Sequence, residues 1–418
     1  MTPSEAPSSR RDGLPRTYLI WLSGVLASMF GDTVLYFALG WTASAHGGSV
    51  AALVLTAINL PRASLLLIGG AVGDRFGARK IMLMGDSTMI VVTVLLAVVA
   101  FRWGTATWLL ITAGLLIGAV DAFYLPASGS MPRRLVGSDK LPKALALRQT
   151  GGQVVALAGG SLGGLIVAAV GLPGAALFDA VTFGIVFWVM TTIRPTQALP
   201  AVATRKGALR DVADGLQVAW RSPVLRAALL LVAAAAGALL PVISLLMPLL
   251  ARHHGWGSDA AGLLAATQSL GIIGIAVLVA GRGGSKRPGR TAALGLILGG
   301  CGTALLGLSP SPIVAAGGSL IVGLGSGVFS THVGPLVLVT TPDSHLSRLQ
   351  ALLTLVQSTA LLVMNNALGN LAAATGPALP LGLCAAAVTL TGLGGLCSAD
   401  LRRATAHVEA PVASGAIA

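Results

Sequence analysis

Gly70-Ala71-Val72-Gly73-Asp74-Arg75-Phe76-Gly77-Ala78-Arg79-Lys80 decides how the rest of this chain is read. The run is polar, basic and glycine-rich, with the spacing G-x-x-x-D-R-x-G-x-R-K. It sits at the junction of two apolar stretches, about 49–72 and 81–101. Each is long enough to cross ~30 Å of hydrocarbon as a helix, which takes roughly 20 residues. The run therefore reads as a charged turn at a membrane face.

Working outward, the chain has 418 residues, 55% hydrophobic and only 10% charged. A soluble chain carries roughly 25% charged residues. Twelve apolar spans are expected, at about 17–43, 49–72, 81–101, 106–128, 144–170, 173–193, 224–250, 259–281, 291–309, 313–340, 348–374 and 379–400. The runs are continuous rather than alternating, which favours helices over a barrel. No short apolar region with a cleavage site follows the basic N-terminus, so the first span reads as retained. Between the sixth and seventh spans, Leu209–Trp220 has helical periodicity and reads as an amphipathic surface helix.

The formal charge of +13 would suit a nucleic-acid partner, but its distribution points to topology instead. With the N-terminus placed inside, 23 of the 27 Lys and Arg residues fall in inside segments and only Arg102 and Arg252 outside. Arg62 and Arg148 lie within spans. Cytoplasmic loops carry such an excess of basic residues. The expectation is a cell-membrane protein with both termini cytoplasmic. Cys301, Cys384 and Cys397 all fall inside spans and read as packing residues.

The halves look duplicated. Gly281-Arg282-Gly283-Gly284-Ser285-Lys286-Arg287-Pro288-Gly289-Arg290 occupies the place of the opening run one half later, with Ser285 where Asp74 would align. The opening run matches the signature loop between the second and third helices of the major facilitator superfamily, and the chain resembles that superfamily. Three further stretches resemble its macrolide-efflux and enterobactin-exporter branch of drug:proton antiporters. They are Phe30-Gly31-Asp32 with Leu39-Gly40-Trp41; Ala122-Phe123-Tyr124-Leu125-Pro126-Ala127 with Met131-Pro132; and Gly160-Ser161-Leu162-Gly163-Gly164 with Phe178-Asp179-Ala180-Val181-Thr182-Phe183 and Arg194-Pro195. Two features depart from that pattern. The fourth span lacks the Arg that many proton antiporters carry there, and Gly159-Gly160-Ser161 stands where a Gly-Pro pair is usual.

The resemblance implies an all-α membrane protein of twelve transmembrane helices in two six-helix bundles. The expected layout is an N-terminal tail (1–16), a first bundle (17–193), a linker (194–223), a second bundle (224–400) and a C-terminal tail (401–418). It also implies a transporter, not an enzyme, that exports an amphipathic small molecule by alternating access with proton antiport. The alternatives are import or facilitated diffusion, or a non-transporting scaffold or receptor. Function as a monomer is expected, without a cofactor. No nucleotide-binding cassette is present, so an ion gradient or the substrate's own gradient supplies the energy.

Charge inside a span costs about 2.5–3.5 kcal/mol at a helix centre on an insertion scale, so each case calls for a hypothesis. Asp32 and Arg62 lie near the middle of the first and second spans and are expected to face each other as a proton- or substrate-responsive pair. Asp179 joins them as a proton-coupling candidate. Asp86, Asp121 and Arg148 lie nearer the cytoplasmic ends and read as a gate charge network. Gly70, Gly73, Asp74, Arg75, Gly77, Arg79 and Lys80 form the cytoplasmic gating loop, with Asp74 expected to cap a helix of the other half. On the eleventh span, Gln350, Thr354, Gln357, Leu361 and Asn365 share one face, which lines a cavity or packs on a helix. Tyr36, Gln268, Thr354, Gln357 and Asn365 are the substrate-cavity candidates. His253-His254 has no carboxylate or Cys partner nearby in sequence, so no metal is expected. Gly323-Leu324-Gly325-Ser326-Gly327 reads as a small-residue helix face, because no strand precedes it.

Overall fold

The computed structural model describes residues 13–137, 139–193, 216–217, 220, 222–341 and 346–403. The linker at 194–215 with most of the expected surface helix, most of the N-terminal tail, and the C-terminal tail beyond 403 lie outside these residues. The described residues are helical, without strands. Ten stretches among them are long and apolar enough to cross a membrane.

The first half comprises α1 (Arg16–Ser44), α2 (Gly48–Phe76), α3 (Ala78–Trp103), α4 (Thr107–Leu135) and α5 (Leu141–Thr192). The last holds the expected fifth and sixth spans. Its backbone leaves helical geometry at Gly171, with φ 63° and ψ −168°. Only glycine adopts that conformation readily, and Pro173 follows two residues on, so the break belongs to the local sequence. The second half comprises α6 (Pro223–His253), then α7 (Ser258–Arg282), α8 (Pro288–Gly307), α9 (Pro312–Thr340), α10 (Leu346–Thr375), α11 (Ala378–Cys397) and the short α12 (Ala399–Arg403). Within α6, π-helical turns at Ala235–Leu239 and Val242–Leu246 flank Pro241. A proline lacks the N–H that the regular ladder needs, and a widened turn accommodates the gap.

Small residues let these helices touch backbone to backbone. A Cβ at Gly118 of α4 would overlap the carbonyl oxygen of Ile58 on α2, and one at Gly69 of α2 would overlap that of Ala122 on α4. In the second half, a Cβ at Gly325 of α9 would collide with the backbone nitrogen of Gly299 on α8. Hydrocarbon supplies no driving force between apolar helices, so close packing of this kind carries the association. Large side chains cover the outer surface instead: Phe101, Trp103, Trp188, Val277 and Ile313 are all exposed.

The two halves meet towards the end remote from Arg75, Arg79 and Lys80. Gly48 of α2 packs on the backbone of Gly369 on α10. Ser49 donates to Asn370 at 2.7 Å, and Asn366 donates to Thr56 at 2.7 Å. Arg252 of α6 lies 3.8 Å from the Trp41 ring centroid and donates to the Trp41 carbonyl at 3.2 Å. Gly164 of α5 abuts Gly262 of α7. Among the described residues these contacts join the halves at the end remote from the basic loop.

Candidate functional site

The basic loop is a tight junction. Gly77, at φ 88°, is the one residue between α2 and α3. That left-handed turn needs glycine and aims the start of α3 at the end of α5. There the Arg79 side chain donates from Nε to the carbonyls of Met190 (3.0 Å) and Ile193 (2.9 Å), and from Nη2 to that of Thr191 (3.0 Å). It thus satisfies the orphan carbonyls at a helix C-terminus, where a cation also complements the dipole. The sequence placed Arg79 in the gating loop without indicating these carbonyl partners. Arg75 and Lys80 are exposed, and the Arg75 guanidinium lies 5.6 Å from the Phe76 ring centroid. The side chain of Asp74 lies outside the described residues.

The charged centre lies inside the first half. Arg62 of α2 forms a salt bridge with Asp121 of α4. Tyr36 of α1 bridges the pair: Arg62 donates to its hydroxyl at 2.7 Å, and that hydroxyl donates to Asp121 at 2.5 Å. The same Tyr36 ring lies 5.5 Å from the guanidinium carbon. The expected partner was Asp32, and the structure places Asp121 there instead. The reason is the backbone contact between α2 and α4, whose glycine positions, Gly118 with Ile58 and Gly69 with Ala122, bracket Asp121 and Arg62 along their helices. Asp32 remains beside the centre, half-buried, with Oδ1 enclosed and without a hydrogen-bond partner among the described residues. Arg62 Nε is likewise enclosed and unpartnered.

Asp179 of α5 is fully buried. Its Oδ1 receives a long 3.5 Å bond from Thr182, and Oδ2 has none. It fits only because residue 31 is glycine, since a Cβ there would meet Asp179 Oδ1 at 2.5 Å. Gly31 of the Phe30-Gly31-Asp32 run thus makes room for the acid of the Phe178-Asp179-Ala180 run. Phe30 and Phe178 also pack edge to face, with centroids 5.7 Å apart.

The expected network of Asp86, Asp121 and Arg148 separates into three places. Asp121 belongs to the Arg62 pair. Asp86 is fully buried and faces the Tyr124 hydroxyl. Arg148 donates to Ser128 at 3.1 Å, with its guanidinium 5.6 Å from the Trp21 ring centroid. These groups sit on different helices, α3, α4 and α5, at different positions along the bundle.

The second half offers uncharged polar groups. Gln268 is 2% exposed, and its backbone meets Gly323 of α9, so it lies within the second bundle rather than on an open cavity wall. Gln357 is exposed, whereas Asn365 is 1% exposed with Oδ1 unpartnered. The side chain of Thr354 lies outside the described residues. Asn366 and Asn370 of the same helix hold α2, so that part of the polar face is a helix contact. A groove of about 550 Å³ between α8 and α11, lined by Cys301, Ala304, Ala385 and Thr389 among others, belongs to the second half and lacks carboxylates.

The residue that sequence reasoning misplaced is Asp121. Its signal was present: Gly114, Gly118 and Ala122 recur every four residues on α4, a small-residue stripe that brings a neighbouring helix close and sets Asp121 at its margin.

Two packed helical halves of membrane-spanning helices, with an ion pair held inside one of them, define a polytopic membrane carrier. Residues 21–377 match the profile of the Major Facilitator Superfamily. The chain belongs to that superfamily. Among curated proteins it is similar to the multidrug efflux pump Tap of Mycobacterium tuberculosis, 26% identical over 278 residues. That match covers 62% of this chain and 65% of the relative, so the chain spans just under two thirds of its length. It is also similar to Tap of Mycolicibacterium fortuitum, 24% identical over 71% of this chain and 75% of that one. Among solved structures, a peptide transporter POT in complex with alafosfalin aligns with a TM-score of 0.71 at 17% identity, covering 96% of this chain and 98% of that one.

Proposed function

We propose that this transporter exports an amphipathic small molecule in exchange for protons, with Arg62, Asp121, Tyr36 and Asp32 as the coupling centre. The observation that carries the reading is the Arg62–Asp121 salt bridge bridged by Tyr36, beside an enclosed Asp32 oxygen that lacks a partner. Protonating Asp121 removes the charge that holds Arg62. The guanidinium then has one acid left within its own cluster, Asp32, and its unpartnered Nε is available to it. The switch between partners biases which face of the carrier opens, because a buried charge without a partner is costly. With the two acids Asp32 and Asp121 around one Arg, the centre favours a cargo that carries positive charge.

The similarity to proteins named multidrug efflux pumps supports export. The charge distribution supports placing the basic end in the cytoplasm of a cell membrane, with both termini on that side. In that orientation the contacts between Ser49 and Asn370 and between Thr56 and Asn366 lie at the outer end. The carrier works as a monomer without a cofactor. One proton entering down ~100 mV supplies ~2.3 kcal/mol, and each pH unit adds ~1.4 kcal/mol. That supports a substrate gradient of roughly two to three decades.

The test uses inside-out vesicles with an acidic lumen and ethidium as a cationic amphipathic probe. Ethidium uptake should be accompanied by proton release from the lumen, and Asp121→Asn should abolish both while the protein remains folded. Uptake at the parent rate without proton movement would sink the antiport reading and leave a passive carrier.

A further inference from the structure

One buried acid has no part in the coupling centre. Asp86 of α3 is fully buried, and both of its carboxylate oxygens lack a hydrogen-bond partner. An acid enclosed in a bilayer-spanning bundle at such cost marks function by default. The polar group facing it is the enclosed Tyr124 hydroxyl of α4; the two groups act on each other, and neither has a further hydrogen-bond partner among the described residues. Tyr124 is held in place by its neighbours. Its ring packs on Gly85, where an added Cβ would meet Cδ2 at 2.8 Å, and meets Phe183 edge to face at 6.3 Å. The charged groups that act on Tyr124 besides Asp86 are Asp32, on the side of the coupling centre, and Arg148, on the side of the basic end. Three residues before Tyr124 on the same helix stands Asp121, one turn nearer the opposite face.

We infer that Asp86 and Tyr124 form a relay station through which protons leave the coupling centre towards the basic end of the first bundle. This rests on the proton-exchange reading above. The balance is simple. A protonated carboxyl of the centre gives its hydrogen to the Tyr124 oxygen as the Tyr124 hydrogen passes to the Asp86 carboxylate. The centre is left anionic and Asp86 neutral, and Asp86 then yields its proton to water at the basic end.

The full chain in proteoliposomes tests this with ethidium as the transported probe. Two rates are compared, ethidium movement driven by a pH difference and ethidium exchange at equal pH. In Asp86→Asn the ratio of driven movement to exchange should fall at least about tenfold. Asp86→Glu should restore most of it, and Tyr124→Phe should lower it independently of any folding defect in Asp86→Asn. An infrared difference spectrum after a pH jump gives a readout free of transport: the parent should show a carboxyl band that Asp86→Asn lacks. An unchanged ratio together with an unchanged band pattern overturns the relay. If the parent shows no pH-driven movement, the antiport reading fails instead, and the infrared band alone decides whether Asp86 exchanges protons with bulk water.

Discussion

Arg62 has two acids in its cluster and holds only one. The choice of Asp121 leaves Asp32 with an empty oxygen, and Tyr36 stitches the chosen pair together. Removing one member strands the other in a low-dielectric interior. Arg62→Leu or Asp121→Leu alone should therefore destabilise the protein by about 3–5 kcal/mol, whereas the double replacement should cost much less. Thermal unfolding in detergent measures this. Equal losses in single and double variants would show that the pair is not coupled as described. At this scale the sequence announced which residues carry charge inside the spans, because Asp and Arg stand out in an apolar background. Their pairing was illegible, since it depends on which helices touch.

Pairs of helices decide that contact through glycines. Gly114 and Gly118 admit α2, and Gly69 admits α4 in return. Gly118→Ala should force the two backbones apart and destabilise by about 1–3 kcal/mol, as overpacking does. Gly129 of the same helix has open space around its position. Gly129→Ala should be neutral or stabilising by up to about 1 kcal/mol, through lowered freedom of the unfolded chain. Denaturation of the two variants side by side is the measurement, and equal behaviour would refute the contact. The same logic covers Arg79, whose three carbonyl partners come from the last turn of α5, more than a hundred residues away in sequence. A motif read as a family label turns out to hold the C-terminal end of α5 in place.

Across the whole molecule, the bundles join through Ser49 with Asn370, Thr56 with Asn366, and Arg252 on Trp41. These contacts close one end between the bundles, and alternating access requires them to part. A disulfide between Ser49→Cys and Asn370→Cys, in a background lacking Cys301, Cys384 and Cys397, should stop transport and release it on reduction. The native side chains already touch at 2.7 Å, which brings the two positions together across the halves. Full transport by the oxidised protein would mean that this end does not open in the cycle. Gln268 and Asn365, expected in the cavity, are instead nearly enclosed in this state, while Gln357 is exposed.

The sequence by itself determined the elements, the class and the place of each charge. Span length answers to bilayer thickness, breaks answer to Gly and Pro, and the basic loops mark one face. All of these are local properties. It takes the tertiary structure to tell which acid holds Arg62, that Asp86 faces Tyr124, and that Asn366 and Asn370 join the halves. Those outcomes follow from the angle and depth at which helices cross. Glycines far apart in the chain set that geometry together, and a linear pattern records their positions without recording their partners.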